Sequence, residues 1–385
     1  MSYPSLIRLA LTLLGNGIRY QYLKFTGKPS KPHAVSFEIT HRCIARCIMC
    51  NIWRLSGETD LPMGDWVRLI SSPLFSDLRE LDVTGGEPFL REDLLELIEV
   101  VSHLKDDNLQ ALKSIAITTN GFLTDRILEC TEKMLNLLRP KGIDLVMVCA
   151  MDAIGPIHNR IRNYKDGWSK VNNTIQGLRE IRSSDPSLVI GLKTTILPQN
   201  VDQLENIARY AEENGLFTII SPCIITENRY RNVDRSNDLA FSKEAIEKMI
   251  RFYESDHFQW NFHRDQLLHY LRTGVMTKPC SAGFNYLFIR FNGDVYLCPL
   301  IKMKLGNFKE TKIEELFFSK EASRFRKKVG KYAECRGCTE PGLERYALPF
   351  EGFAYLLLMA KMGRKDFLHF HRHMGLDKYL SSTAS

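Results

Sequence analysis

Several things are scarce in this chain, and each scarcity narrows the reading. No run approaches the roughly 18 consecutive apolar residues that a membrane-crossing helix needs, and no low-complexity tract interrupts an ordinary globular composition, 44% hydrophobic and 25% charged. The apolar start, Leu6 to Leu14, is broken by Arg8 and is not followed by a small-residue cleavage site, so it does not read as a signal peptide. The expected location is therefore cytoplasmic, with peripheral contact at a membrane as the variant. Residues 1–33 contain not one Asp or Glu but hold Arg8, Arg19, Lys24, Lys28 and Lys31. Leu6, Leu9, Leu13 and Leu14 recur there at helical spacing, which makes a basic amphipathic helix. The preferred reading is a helix closing one end of the main domain; the competing one is a helix lying on an anionic membrane surface. The overall charge of +7 is mild and demands neither nucleic acid nor membrane.

Cysteine, by contrast, is present and patterned. Of ten cysteines, seven fall in two arrays, which points to a reducing compartment and metal ligation rather than disulfides. Cys43, Cys47 and Cys50 form a C-x3-C-x2-C array, expected by chance fewer than about 0.01 times per chain. Three thiolates within eight residues suit an iron–sulfur cluster or zinc, and in a [4Fe–4S] cluster they leave one iron open. Cys280, Cys298, Cys335 and Cys338 form the second array. There Asn292-Gly293 marks a tight hairpin between Tyr286–Phe291 and Asp294–Leu297. Folding that hairpin onto the Cys335–Cys338 knuckle brings four thiolates together. Cys130 and Cys149 read as core residues. Cys223 lies just past a predicted strand and is a candidate hydrogen donor.

Along the chain, β-branched runs alternate with helical periods. Strands are expected at Ala34–Ile39, Glu80–Thr84, Ser114–Thr119, Asp144–Ala150, Leu188–Ile196 and Phe217–Ser221. Helices are expected near Glu92–Leu104, Arg126–Leu138, Lys170–Ile181 and Val201–Asn214. This order describes an α/β protein with parallel strands in a partial or complete barrel, whose site gathers at the carboxyl ends of the strands. The organisation expected is a basic segment (1–33), a barrel (34–223), connecting helices (224–278), a small β-hairpin module (279–342) and an apolar, basic tail (343–385). In the tail, His369, His371 and His373 read as a solvated face, with metal binding as the alternative. Its apolar block, Phe353 to Ala360, reads as packing, with membrane contact as the alternative.

Gly85-Gly86-Glu87 follows the second strand at the same barrel edge as the first cysteine array. With Cys43, Cys47 and Cys50 it resembles the signature of the radical S-adenosylmethionine superfamily, and the resemblance extends over roughly residues 34–222. It implies a partial (β/α)6 barrel and a [4Fe–4S] cluster whose unique iron is chelated by S-adenosylmethionine. One electron would then release a 5′-deoxyadenosyl radical that abstracts a substrate hydrogen. It also implies cofactor contacts at Gly85, Gly86 and Glu87, at Asn120 after the third strand, and at Asp152 and Arg162 after the fourth. Met49 occupies a position that is often aromatic in the family. The second array resembles the SPASM and Twitch extensions and implies one auxiliary [4Fe–4S] cluster on Cys280, Cys298, Cys335 and Cys338.

Full ligation of that second cluster implies electron transfer rather than substrate binding, in an oxidation, epimerisation or cross-link. The substrate expected first is a carbohydrate or cyclitol, since the four-cysteine spacing resembles sugar-alcohol dehydrogenases. Alternatives are a lipid-linked molecule or a ribosomal peptide, the latter disfavoured because only 33 residues precede the barrel. A flavodoxin- or ferredoxin-type donor would supply electrons. The rival from another class, a zinc-bearing nucleic-acid-binding protein, leaves the Gly-Gly-Glu unexplained, and no nucleic-acid partner is expected.

Overall fold

The computed structural model describes residues 3–55, 59–258, 261–373 and 376. Six strands, β1 (Ala34–Glu38), β2 (Glu80–Thr84), β3 (Ser114–Thr119), β4 (Asp144–Ala150), β5 (Leu188–Ile196) and β6 (Phe217–Pro222), lie side by side in chain order, all parallel. Each strand run is short and rich in Val, Ile and Thr, which suits a pleated surface covered on its outer face. The crossovers are amphipathic helices. In Leu204–Glu213, for example, Leu204, Ile207, Ala208 and Ala211 are buried at i, i+3, i+4 and i+7. Met63–Ile70, Leu94–Leu104, Thr124–Leu138 and Gly167–Ser184 lie in the other four interstrand steps. The sheet stays open, a partial barrel as expected.

The hairpin near the C-terminus joins this same sheet. Strand β7 (Tyr286–Ile289) runs parallel to β1, pairing Ala34 with Tyr286, and is followed by antiparallel β8 (Asp294–Tyr296) and β9 (Lys304–Asn307). A buried ion pair locks the junction: Arg290 Nε is 2.9 Å from Glu38 Oε1, and both residues are buried. Such a pair specifies register more than it stabilises, because burying both charges offsets much of their attraction.

The N-terminal helix, Tyr3–Thr26, packs on the C-terminal helices Pro341–Glu351 and Phe353–Lys361. Asn16 donates to the Pro349 carbonyl at 2.8 Å, and Tyr20 donates to the Cys280 carbonyl at 2.7 Å. It therefore closes the C-terminal side of the molecule rather than an end of the barrel. The apolar block packs through Tyr355, which is buried, while Leu357 on its other side is exposed. His371 departs from the expected solvated face: it is buried, its Nδ1 2.6 Å from the Tyr355 hydroxyl, whereas His369 is exposed. Cys130 and Cys149 are core residues.

The loop carrying Cys43, Cys47 and Cys50 is pinned by the loop after β2. Gly86 donates its N–H to the Thr40 carbonyl and Glu87 to the Arg42 carbonyl, both at 2.8 Å. This leaves no space for side chains. A Cβ on Gly86 would sit 2.2 Å from the Arg42 carbonyl oxygen, and one on Gly85 would sit 2.5 Å from that of Thr40. Because both obstacles are backbone, neither can swing away. Gly86→Ala is expected to displace the cysteine loop at a cost of about 1–3 kcal/mol. Reconstituted iron should fall from about eight atoms per chain towards about four; unchanged iron and melting temperature would contradict this packing.

Candidate functional site

Three further contacts fix the cysteine loop. Asp60 gathers its entrance, accepting from the Thr40 hydroxyl at 2.5 Å and from the His41 N–H at 2.9 Å. Burial works against charge on Asp60, but these bonds outweigh it and hold the carboxyl below the usual range. The middle of the loop pairs with the end of the helix Pro156–Arg162, through Arg46 N–H to the Arg162 carbonyl (3.0 Å) and Ile48 N–H to that of Ile161 (2.9 Å). Its far end is clamped by the segment after β6. Asn51 donates to the Tyr230 carbonyl, Asn232 to that of Met49 and Arg235 to that of Ile48, each at 2.9 Å. Residues 224–235, expected only as the start of a connector, are thus part of the site's frame.

These supports hold Cys43, Cys47 and Cys50 on the wall of a cleft of about 1170 Å³ at the carboxyl ends of the strands. Met49, Gly85, Gly86, Asn120, Arg162 and Cys223 line the same cleft, so the structure brings together most of the residues singled out from sequence. Burial pushes the thiols of Cys43 and Cys50 up to about 12. Bound iron would reverse that, since a coordinating thiol is deprotonated. Two donors already face the sulfurs, Asn120 Nδ2 at 3.9 Å from Cys43 and Arg162 Nη1 at 3.7 Å from Cys47.

Two expected cofactor contacts sit behind the wall instead of on it. Glu87 is fully buried, and its carboxylate accepts from Asn120 N–H (2.7 Å), the Thr119 hydroxyl (2.9 Å) and Phe89 N–H (3.2 Å). It ties the end of β2 to the end of β3 and presents no oxygen to a ligand in the cleft. Burial raises its pKa to about 7. Asp152, also fully buried, accepts from Thr195 N–H at 2.9 Å and stands 2.7 Å from Arg162 Nε. It orients Arg162, whose guanidinium is thereby shared between Asp152 and Cys47. Side-chain direction at a strand end depends on which neighbour supplies donors, and residue spacing does not reveal that.

The same cleft is lined by charged and polar groups that belong to no motif in the sequence: Lys193 on β5, Arg229 and Tyr230 after β6, and Glu340, two residues beyond Cys338. Burial opposes the charge on Lys193, but Glu340 and Tyr230 outweigh it and keep the ammonium protonated. Burial likewise opposes the charge on Glu340, and Lys193 and Arg229 hold that carboxyl below its ordinary value. The Lys193 ammonium makes no hydrogen bond or ion pair with another of the described residues, although its backbone carbonyl accepts from Met151 N–H at 2.9 Å. The available signal was a lone charge inside the apolar run of β5. Cys223, pushed up to about 12 by burial, lines the cleft as a neutral thiol.

Cys280, Cys298, Cys335 and Cys338 all border a second cavity of about 570 Å³. Among the described residues, no three His, Cys, Asp or Glu side chains are gathered closely enough for one metal ion. Four thiols around one cavity are the donor set that a [4Fe–4S] cluster takes.

Comparison with known proteins agrees with this chemistry. The radical SAM superfamily model matches residues 37–211, and the SPASM iron–sulfur cluster-binding domain matches residues 280–339. The chain is 22% identical over 289 residues to the sporulation killing factor maturation protein SkfB of Bacillus subtilis, covering 74% of this chain and 64% of that protein. It is 24% identical to the PqqA peptide cyclase of Gluconobacter oxydans over 68% of each chain. It is 25% identical to the GTP 3′,8-cyclase of Aquifex aeolicus, over 80% of this chain and 94% of the other. The fold is shared with Streptococcus suis SuiB bound to S-adenosylmethionine, with a TM-score of 0.55 at 15% identity over 89% of this chain and 77% of that one. The two family descriptions, over residues 37–211 and 280–339 and each holding one of the two cysteine sets, place this chain in the radical S-adenosylmethionine superfamily, whose enzymes use S-adenosylmethionine and a [4Fe–4S] cluster, with a SPASM iron–sulfur cluster-binding domain after the barrel.

Proposed function

We propose that this enzyme modifies a peptide, abstracting a hydrogen from an unactivated C–H bond. The observation that carries this is the likeness to SkfB, and to the PqqA peptide cyclase, over most of the chain. It displaces the carbohydrate or cyclitol expected from cysteine spacing. The likeness to GTP 3′,8-cyclases supports the nucleotide reading less well, because four cysteines line the second cavity here and leave no cluster position for a substrate.

Cys43, Cys47 and Cys50 would hold the catalytic cluster, with Met49, Gly85, Gly86, Asn120 and Arg162 around the S-adenosylmethionine. When bound, that pair supplies a one-electron cleavage that yields a hydrogen-abstracting radical. The chain's own contribution is placement. Glu87 and Asp152 hold the cleft wall in position, and Lys193, Arg229 and Glu340 offer charges to a polar group of the substrate. Cys223 would donate a hydrogen atom where the product requires one. Cys280, Cys298, Cys335 and Cys338 would hold the auxiliary cluster for electron transfer, with a flavodoxin- or ferredoxin-type protein as the donor. The working partition is a barrel at 34–223 and an auxiliary module at 279–342, joined by 224–278 and flanked by the two terminal segments.

Peptides deuterated at non-exchangeable positions are expected to pass deuterium into 5′-deoxyadenosine. Label arriving from deuterated cyclitols and not from peptides would overturn the reading. Cys335→Ser is expected to leave about four irons and intact S-adenosylmethionine cleavage while the net product is lost; full product formation would remove the auxiliary cluster from the reaction.

A further inference from the structure

We propose that the outward face of the N-terminal helix docks on an anionic lipid bilayer, with the helix axis lying in the plane of the surface. An ordinary surface helix is apolar on the face it buries and polar on the other. This helix buries Leu9, Leu13, Tyr20 and Leu23 against the body of the protein. Its outer face is apolar as well: Ile7, Leu11, Leu14, Ile18, Tyr22 and Phe25 are 43–85% exposed. Their spacing of four, three, four, four and three residues keeps all six within roughly 80° of the helix circumference. They form one continuous stripe along most of a 24-residue helix. Isolated exposed apolar residues are common, but a continuous stripe of this length marks an interaction surface.

Charge decides the occupant. Arg8 and Arg19 are exposed and border one edge of the stripe, Lys24 and Lys28 lie at its C-terminal end, and the first 33 residues hold no acid. On the adjoining helix Phe353–Lys361, Leu357 and Lys361 are exposed. Apolar side chains at acyl-chain depth with cations at headgroup level match an anionic surface. Two copies of this face brought together would instead set arginine against arginine. Among the described residues, no helix is long and apolar enough to cross a membrane, so the contact is peripheral. Tyr20, on the inner face of the same helix, bonds the Cys280 carbonyl. Docking would therefore hold the auxiliary module beside the bilayer, and the inference stands whatever the substrate.

Flotation of the iron-loaded enzyme tests it, using vesicles of phosphatidylglycerol and phosphatidylcholine in equal parts against phosphatidylcholine alone, at about 0.1 M salt. The native chain is expected to float with the mixed vesicles. The double variant Ile18→Ser/Phe25→Ser should lower the bound fraction at least about tenfold with iron content unchanged. Arg8→Gln/Arg19→Gln should reduce the preference for phosphatidylglycerol. If the apolar double variant loses iron, Leu11→Glu provides the same test on a single exposed side chain. No flotation by the native chain, or equal flotation by the apolar variants, would overturn the proposal. So would a native dimer that the variants split while neither floats, which would make a second copy the occupant.

Discussion

The site depends on one close approach of two backbone segments. Gly86 and Glu87 donate to the carbonyls of Thr40 and Arg42, and neither glycine has space for a methyl group. The motif's glycines are thus explained by contact between chain segments before any ligand is considered. That contact sets the height of the cysteine loop above the sheet. It also leaves the Glu87 side chain only an inward course, where three donors take its carboxylate. A buried carboxylate that satisfies three donors stabilises the ends of two strands at once, and this fits Glu87 for positioning better than for recognition.

Around that contact, distant parts of the chain converge on one cleft. The helix after β4 holds the middle of the cysteine loop and supplies Arg162. The segment after β6 holds its end and supplies Arg229 and Tyr230. The C-terminal module contributes as well: its hairpin extends the barrel sheet beside β1, and Glu340, two residues past a cysteine of the second cavity, lines the first cavity. A short stretch of chain, Cys338 to Glu340, thus borders both cavities. The N-terminal helix braces this arrangement from outside through Tyr20 and the Cys280 loop.

Much of this was legible in the sequence because it rests on local pattern. All six barrel strands fall within a residue of their expected bounds, since β-branched runs between turn residues decide them locally. The cysteine sets were legible because thiol spacing carries its own chemistry. What remained hidden is non-local. The pairing of β7 with β1 joins residues some 250 positions apart, as the Tyr286–Ser36 contact shows. Glu87 and Asp152 were placed on the correct edge but on the wrong side of the wall, because their direction is set by Asn120, Thr119 and Thr195. The segment 224–235 carries no motif, and only its folded position reveals it as a clamp. For residues 1–33 the two readings, a packed helix and a membrane-surface helix, had looked exclusive. The helix packs with one face, and its other face remains apolar.

Cys43, Cys47 and Cys50 would leave one iron of their cluster open to S-adenosylmethionine, and the four cysteines of the second cavity would leave none. Electron paramagnetic resonance of the reduced enzyme, titrated with S-adenosylmethionine, tests this most directly. Two [4Fe–4S] signals are expected, of which one shifts on addition of the cofactor while the other stays fixed. A shift in both signals, or in neither, would contradict it.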